Sequence, residues 1–257
     1  MLSKRIVKFF YKNTALLIFI VVIHFIQLIY SRNAYDNFVG DYKGALSGLC
    51  QMIILDDYDK INSLNFYGAS ILVQLIFTCG VIVASFIASD KENHTLSRIL
   101  MSPIRKIQIL AGYLTGFVFS IMIVSIVYIV ISSKLLEVFW GYSIFNLLFV
   151  TFICVLSSVS LAMLISTFVH NTKLAAGIMS ILIILMTFLS GSTSATLQYS
   201  KTSSFTLFKW AFESYLNNMD GKVLKESFGN IYVLLISSLI FLTLSILFFR
   251  RKSIYDN

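Results

Sequence analysis

Six long apolar stretches without an Asp, Glu, Lys or Arg constrain this chain more than any other feature. They cover residues 14–30, 66–88, 107–132, 144–169, 174–191 and 231–249. A bilayer core of about 30 Å needs about 20 apolar residues per helical crossing, so each stretch matches one span. Only 12% of the residues are charged, whereas roughly a quarter are charged in soluble domains. Because the alternating segments of an outer-membrane barrel are absent, we predict an all-α integral membrane protein with one transmembrane domain of six spans.

Basic residues lie next to alternate ends of these stretches, and this pattern predicts the orientation. They are Lys4, Arg5, Lys8, Lys12, Lys91, Arg98, Arg105, Lys106, Lys173, Arg250, Arg251 and Lys252. Positive loops stay on the cytoplasmic side. We therefore expect a multi-pass protein of the cytoplasmic membrane, of bacterial type, with both termini in the cytoplasm. The net charge of +8 then reflects topology and contact with membrane lipid, and not binding of nucleic acid.

The two long loops on the opposite side are residues 31–65 and 192–229. In the second loop, Phe205, Phe208, Phe212 and Tyr215 recur at helical spacing. This periodicity predicts an amphipathic helix on the outer surface. It is either part of a loop that hugs the membrane or a lid over an exit pathway.

Several kinds of chemistry have no candidate residues. The sequence contains no phosphate-binding G-x-x-x-x-G-K-[S/T] loop, no H-E-x-x-H and no G-x-S-x-G. We therefore predict no catalytic residue, no metal site and no cofactor in this chain. Ion-driven carriers usually need ionisable groups at membrane depth, and apart from thiols and phenols the spans hold only His24. Gln27 shares a helical face with His24, and Gln74 or Thr78 is a candidate partner for packing or for contact with cargo.

The stretch SDKENHTLSRILMSPIRKIQ from Ser89 to Gln108 separates the second and third spans. Ser89 and Glu92 have the spacing of a capping box, with Asn93 as a competing cap, and Leu96, Ile99 and Leu100 then fall on one helical face. These features predict a short amphipathic helix in the cytosol over residues 89–102. Its apolar face is left to contact lipid or a protein partner.

The segment KENHTLSRILMSPIRKIQILAGY, residues 91–113, resembles the coupling segment of ABC-2 type permeases, the membrane subunits of one class of ATP-binding cassette exporters. His94 stands where the family has a small glycine, and Tyr113 stands where it usually has a lysine. The HNTK turn at residues 170–173 and FLSG at residues 188–191 extend the similarity. The resemblance implies an ABC-2 exporter-like bundle whose residues for coupling to the ATPase are Glu92, Thr95, Leu96, Ile99, Leu100 and Pro103.

The resemblance also implies partners and a pathway. Two copies of a separate cytosolic ATPase would bind ATP and Mg²⁺, and a second permease copy would complete a homodimer or heterodimer. The first, second and fifth spans would line the pathway, with Gln27, Gln74, Thr78 and Thr187 as its polar residues. The expected cargo is amphipathic or hydrophobic, with a peptide or drug preferred and a lipid or lipid-linked glycan as the alternative. A non-transporting immunity or sensor subunit and an ion-driven secondary carrier remain open as alternatives of other classes.

Overall fold

The computed structural model describes residues 5–9, 14–45, 63–101, 106–190, 203–204, 206–221 and 224–255. Side chains are described over the same ranges except 14–16, 32, 34–45, 63, 224–227 and 250–255. Residues 5–9 are helical. The helices that follow are α1 Thr14–Ala45, α2 Ser63–Glu92, α3 Thr95–Leu100, α4 Lys106–Leu136, α5 Ile144–Phe168, α6 Thr172–Leu189, α7 Leu207–Met219 and α8 Leu224–Tyr255.

The predicted all-α membrane class is confirmed, because the described residues contain helices and turns but no strand. In the part of the chain that the structure describes, five helices, α2, α4, α5, α6 and α8, are long and apolar enough to cross a membrane, and Leu17–Ser31 of α1 is a shorter apolar stretch. Inside a bilayer, each helix satisfies its own backbone hydrogen bonds, which is why apolar runs of this length are stable there.

Some helices extend past the predicted spans. The first span was predicted to end at residue 30, but α1 continues to Ala45. Residues 31–45 contain no proline, so nothing in this stretch removes a backbone donor and interrupts the helix. Part of the predicted loop 31–65 is therefore helical, and its residues 46–62 lie outside the described part of the chain.

Helix α2 lies at the centre of the bundle and packs against α1, α4, α5, α6 and α7. In the apolar part of α2 and of α5, about two-thirds of the residues are buried inside the protein. In α6 and in α8 the buried share is about a fifth. A close approach of α2, α5 and α6 occurs at Gly80, where a Cβ atom would lie 2.8 Å from Ser158 Oγ and 2.7 Å from Met179 Cε. Ser158 Oγ donates to the Ile76 carbonyl oxygen at 3.1 Å. Small residues and hydroxyl groups thus hold the centre together, as is usual between membrane helices.

Two ends of the bundle can be distinguished. The charged end contains residues 5–9, the end of α2, α3, the start of α4 and the turn between α5 and α6. The opposite end contains the start of α2, residues 137–143 and α7. Phe168 at the end of α5 contacts Phe248 of α8 with ring centroids 4.7 Å apart, so this part of α8 also reaches the charged end.

Helix α7 confirms the helical periodicity in the predicted loop 192–229, but its position differs from the prediction. The sequence indicated an amphipathic helix that hugs the membrane or forms a lid, whereas α7 packs into one end of the bundle, against α2, α5 and α8. Phe208 stacks on Phe77 with centroids 5.9 Å apart, and Phe212 meets Phe66 edge-on at 5.0 Å. The reason is that large aromatic side chains gain most by full burial, and α2 and α5 offer an apolar surface at this end.

Polar contacts fix α7 in this position. Tyr215 donates to Thr151 Oγ1 of α5 at 3.1 Å, and Asn218 Nδ2 donates to the Trp140 carbonyl oxygen at 2.7 Å. Desolvation by burial is the main cause that raises the pKa of the Tyr215 phenol well above its ordinary value, and the bond to Thr151 opposes this rise. The phenol therefore stays neutral and acts as a hydrogen-bonding group.

Candidate functional site

The chain passes from α2 to α3 through the two-residue turn Asn93–His94 at the charged end. His94 has a left-handed backbone with φ 53°, and its side chain makes no capping bond to α3. The capping box predicted at Ser89 is wrong, because α2 continues through Ser89 to Glu92. Ser89 Oγ instead accepts a hydrogen bond from Asn93 Nδ2 at 3.0 Å. The predicted helix 89–102 is thus the last turn of α2 followed by the separate helix α3, and residue 102 lies outside the described ranges.

Asp90 joins the N-terminal segment and α4 to the end of α2. Its carboxylate is buried, with 4% of the residue exposed. Arg5 donates to both carboxylate oxygens, at 2.7 and 3.4 Å, and Tyr113 of α4 donates to Oδ2 at 2.7 Å. A carboxylate at this depth needs such partners to offset its lost hydration. The Arg5 guanidinium also lies 5.6 Å from the ring centre of Phe86.

Lys91 contacts the C-terminal end of α5. Its ammonium group donates to the carbonyl oxygens of Ser166 and Thr167, the latter at 3.2 Å. The last carbonyl groups of a helix have no partner within that helix and carry its partial negative charge. A lysine therefore complements this end of α5 both as a donor and as a cation.

Glu92 contacts the N-terminal end of α6. One carboxylate oxygen accepts from the backbone N–H of Thr172 at 3.0 Å and from its hydroxyl at 2.6 Å. Asn171 is the N-cap of α6, and its side chain accepts from the N–H groups of Lys173 and Leu174. The first N–H groups of α6 thus have acceptors, and the negative charge of Glu92 matches the positive end of the helix dipole.

We name these three consecutive residues, Asp90, Lys91 and Glu92, the charged junction. Through it, the end of α2 contacts residues 5–9, α4, α5 and α6. Sequence reasoning missed the roles of Asp90, Lys91 and Tyr113. The available signal was the alternation of charge at the end of an apolar span, together with a tyrosine in place of the family's lysine.

The apolar face predicted on α3 lies against the chain itself. Leu96 is 6% exposed within the core, and Ile99 and Leu100 are partly buried against that core. The expectation that this face had only lipid or a partner to contact is therefore corrected: the charged end of the bundle buries Leu96 and partly covers Ile99 and Leu100. The opposite side of α3 is exposed, with Arg98 in solvent and Met101 at 87% exposure.

Two further residues, Thr95 and Pro103, were predicted to couple the chain to an ATPase. Thr95 begins α3. Pro103 lies outside the described residues. A role of Glu92, Thr95, Leu96, Ile99 and Leu100 in coupling to an ATPase stays a prediction.

The predicted pathway residues take part in contacts between and within helices. Gln27 Nε2 of α1 donates to Gln74 Oε1 of α2 at 2.9 Å. Thr78 and Thr187 donate to backbone carbonyl oxygens one turn earlier in their own helices. The structure thus brings Gln27 and Gln74 together, and their contact with cargo stays a prediction.

His24 Nδ1 lies 2.8 Å from the Ile20 carbonyl oxygen of the same helix. Among the residues that the structure describes, no group of three or more His, Cys, Asp and Glu side chains could hold a metal ion.

One family model matches this chain over most of its length. The family model described as "ABC-2 family transporter protein" matches residues 46–247, well over half of the chain. A search among curated proteins gave no match. The matched range contains α2 to α7, the charged junction and most of α8. This chain therefore belongs to the ABC-2 family of transporter proteins.

Proposed function

We propose that this chain is the permease subunit of an ATP-binding cassette exporter and that a separate cytosolic ATPase supplies the energy. The family match supports a membrane subunit that works with such an ATPase. The observation that carries the proposal is the placement of α3. This short helix lies outside the five long apolar helices, its apolar side is held by the bundle, and its polar side is exposed. Such a helix can receive a partner's movement and pass it to the bundle.

The orientation follows from charge. Of the eight Lys and Arg side chains that the structure describes, six lie in the segments of the charged end and two, Lys134 and Lys209, lie at the opposite end; the six are Arg5, Lys8, Lys91, Arg98, Lys106 and Lys173. By the positive-inside rule the charged end faces the cytoplasm, and α7 then lies at the outer face of a bacterial cell membrane.

The partners and cargo complete the proposal. Two ATPase copies bind ATP and Mg²⁺, and a second permease copy, identical or related, completes the pathway. The absence of charged residues from the apolar spans supports an amphipathic or hydrophobic cargo such as a peptide or drug. Gln27, Gln74, Thr78 and Thr187 are the polar residues proposed for the pathway.

The exposed side of α3 gives a direct test. Arg98 and Met101 lie one helical turn apart on this side, so we expect them, and not Leu96, to contact the ATPase. Arg98→Glu combined with Met101→Asp would reverse one charge and add another at the contact. Co-purification of an ATPase with a phosphate-binding loop, and ATP hydrolysis by the complex, should then fall at least tenfold. The permease should keep its expression level and melting temperature, because both side chains are exposed.

A control is Lys8→Glu, which reverses an exposed charge at the same end but in a different segment, residues 5–9. It should retain the ATPase. If the α3 double variant also retains full ATPase binding, or if no ATPase accompanies the wild-type chain, the proposal is wrong. Uptake into vesicles driven by an ion gradient without nucleotide would instead favour a secondary carrier.

A further inference from the structure

We propose that Glu92 is a positioning residue that makes α3 and the start of α6 move as one unit. The inference rests on the proposed function, because the movement originates in the ATPase. It goes beyond that function by naming the contact that carries the movement to α6. It also assigns Lys91 the matching role at the end of α5.

The geometry of the contact supports this role. Glu92 is the last residue of α2, and only Asn93 and His94 separate it from α3. Its carboxylate holds both the N–H and the hydroxyl of Thr172, a residue 80 positions away. A displacement of α3 that exceeds the slack of two residues therefore moves Glu92 and, as long as its two hydrogen bonds hold, the first residue of α6.

Lys91 extends the contact to the helix before the turn. The ammonium group binds the last carbonyls of α5, while the neighbouring carboxylate binds the first N–H of α6. The hairpin of α5 and α6 is thus held at both helix ends by adjacent residues of opposite charge. Each charge matches the partial charge of the helix end that it contacts, and exchanging the two would oppose both dipoles.

Stability alone does not account for the contact. Glu92 is exposed, and charge contacts in solvent contribute little to folding because water competes for both partners. Asn171 already caps α6 from within its own turn. The distinctive property of Glu92 is that its partner belongs to a different part of the chain, so it fixes a relative position.

The test measures a distance in the permease–ATPase complex in lipid nanodiscs. Spin labels are placed by Ser97→Cys on the flank of α3 and by Gly177→Cys on α6, where an added Cβ meets nothing within 4 Å. Cys79 and Cys154 are fully buried, and Cys50 is replaced by serine. Pulsed electron paramagnetic resonance then gives the distance distribution without nucleotide and after trapping with ATP and orthovanadate. Only preparations in which the labelled complex retains its ATPase are compared.

The expected result separates positioning from capping. With the native junction, the distribution should be narrow and the same in both states. Glu92→Ala and Thr172→Val should each broaden it and make it shift on vanadate trapping, whereas Thr172→Ser should behave as wild type. Asn171→Ala removes the cap within α6 but keeps the link to α2, so its distribution should not shift on trapping.

Three outcomes would overturn the inference: a shift in the wild type on trapping, a Glu92→Ala variant that behaves as wild type, or an Asn171→Ala variant that behaves as Glu92→Ala. Failure of the proposed function is distinguishable. In that case nucleotide and vanadate change nothing in any variant, while Glu92→Ala still broadens the distribution in the permease alone.

Discussion

Two buried tyrosines of α4 allow the same chemical change to be tested in opposite surroundings. Tyr113 and Tyr128 are 1% and 0% exposed. The Tyr113 hydroxyl donates to Asp90 Oδ2 at 2.7 Å. Among the described residues, the Tyr128 hydroxyl is the buried side-chain polar group that has no hydrogen-bond partner in the protein. Replacement by phenylalanine removes only the hydroxyl and keeps ring contacts such as Tyr113 on Phe117.

The two replacements should change stability in opposite directions. A hydrogen bond to a charged group contributes about 1.5–3 kcal/mol. Asp90 keeps Arg5, whose side chain is 44% exposed and so compensates only in part. Tyr113→Phe should therefore lower the free energy of unfolding by about 1.5–2 kcal/mol. A buried donor without a partner costs about 1–3 kcal/mol, so Tyr128→Phe should leave stability unchanged or raise it by about 1 kcal/mol.

The assay is reversible unfolding of the detergent-solubilised permease by titration with dodecyl sulfate, followed by circular dichroism. The same pair of variants is then made in an Asp90→Asn background. In that background the acceptor at position 90 is neutral. The decrease in the free energy of unfolding caused by Tyr113→Phe should then be only about 1 kcal/mol or less. Equal effects of the two tyrosine replacements, or an undiminished loss in the Asp90→Asn background, would refute the reasoning that Tyr113 acts through the charged junction.

Two further predictions concern the backbone and the orientation. Gly141 has φ 98°, and a Cβ there would lie 2.3 Å from the Asn218 carbonyl oxygen, so Gly141→Ala should lower the free energy of unfolding by about 1–3 kcal/mol or more. Gly177 is in an open helical position, and Gly177→Ala should raise the free energy of unfolding by about 0.5–1 kcal/mol. The same unfolding titration measures both changes. In a Cys50→Ser background, a membrane-impermeant maleimide added to intact cells should label Tyr142→Cys but not Lys173→Cys, and labelling of residue 173 from outside would reverse the proposed orientation.

The helices could be predicted from sequence because the bilayer leaves few alternatives. An uncharged apolar run of about 20 residues has one stable conformation in lipid, and the predicted spans fall on α1, α2, α4, α5, α6 and α8. The periodicity of Phe208, Phe212 and Tyr215 likewise predicted α7. It did not predict what α7 packs against, because a helical pattern shows only that one face is apolar.

The charged junction could not be predicted, because its contacts are distant in sequence. Arg5 and Asp90 are 85 positions apart, and Glu92 and Thr172 are 80 positions apart. The local capping rule at Ser89 predicted a helix start, but the tertiary partners of Asp90 and Glu92 are satisfied when α2 continues through that point. The amphipathic pattern of Leu96 was also correct as a pattern. It could not show whether the covering surface belongs to this chain or to a partner.

Helix α2 runs from one end of the molecule to the other. Its 30 residues form one helix of roughly 45 Å at about 1.5 Å per residue. At the charged end, it carries the junction that contacts four helical segments. At the other end, Asn65 Oδ1 accepts from the Phe139 N–H at 3.0 Å and Phe66 packs on Phe212 of α7. Apolar contacts alone resist sliding weakly in lipid, where no hydrophobic force drives helices together. The directional bonds at both ends therefore fix the register of α2, and under the proposed function this helix would carry a force applied at α3 to α7.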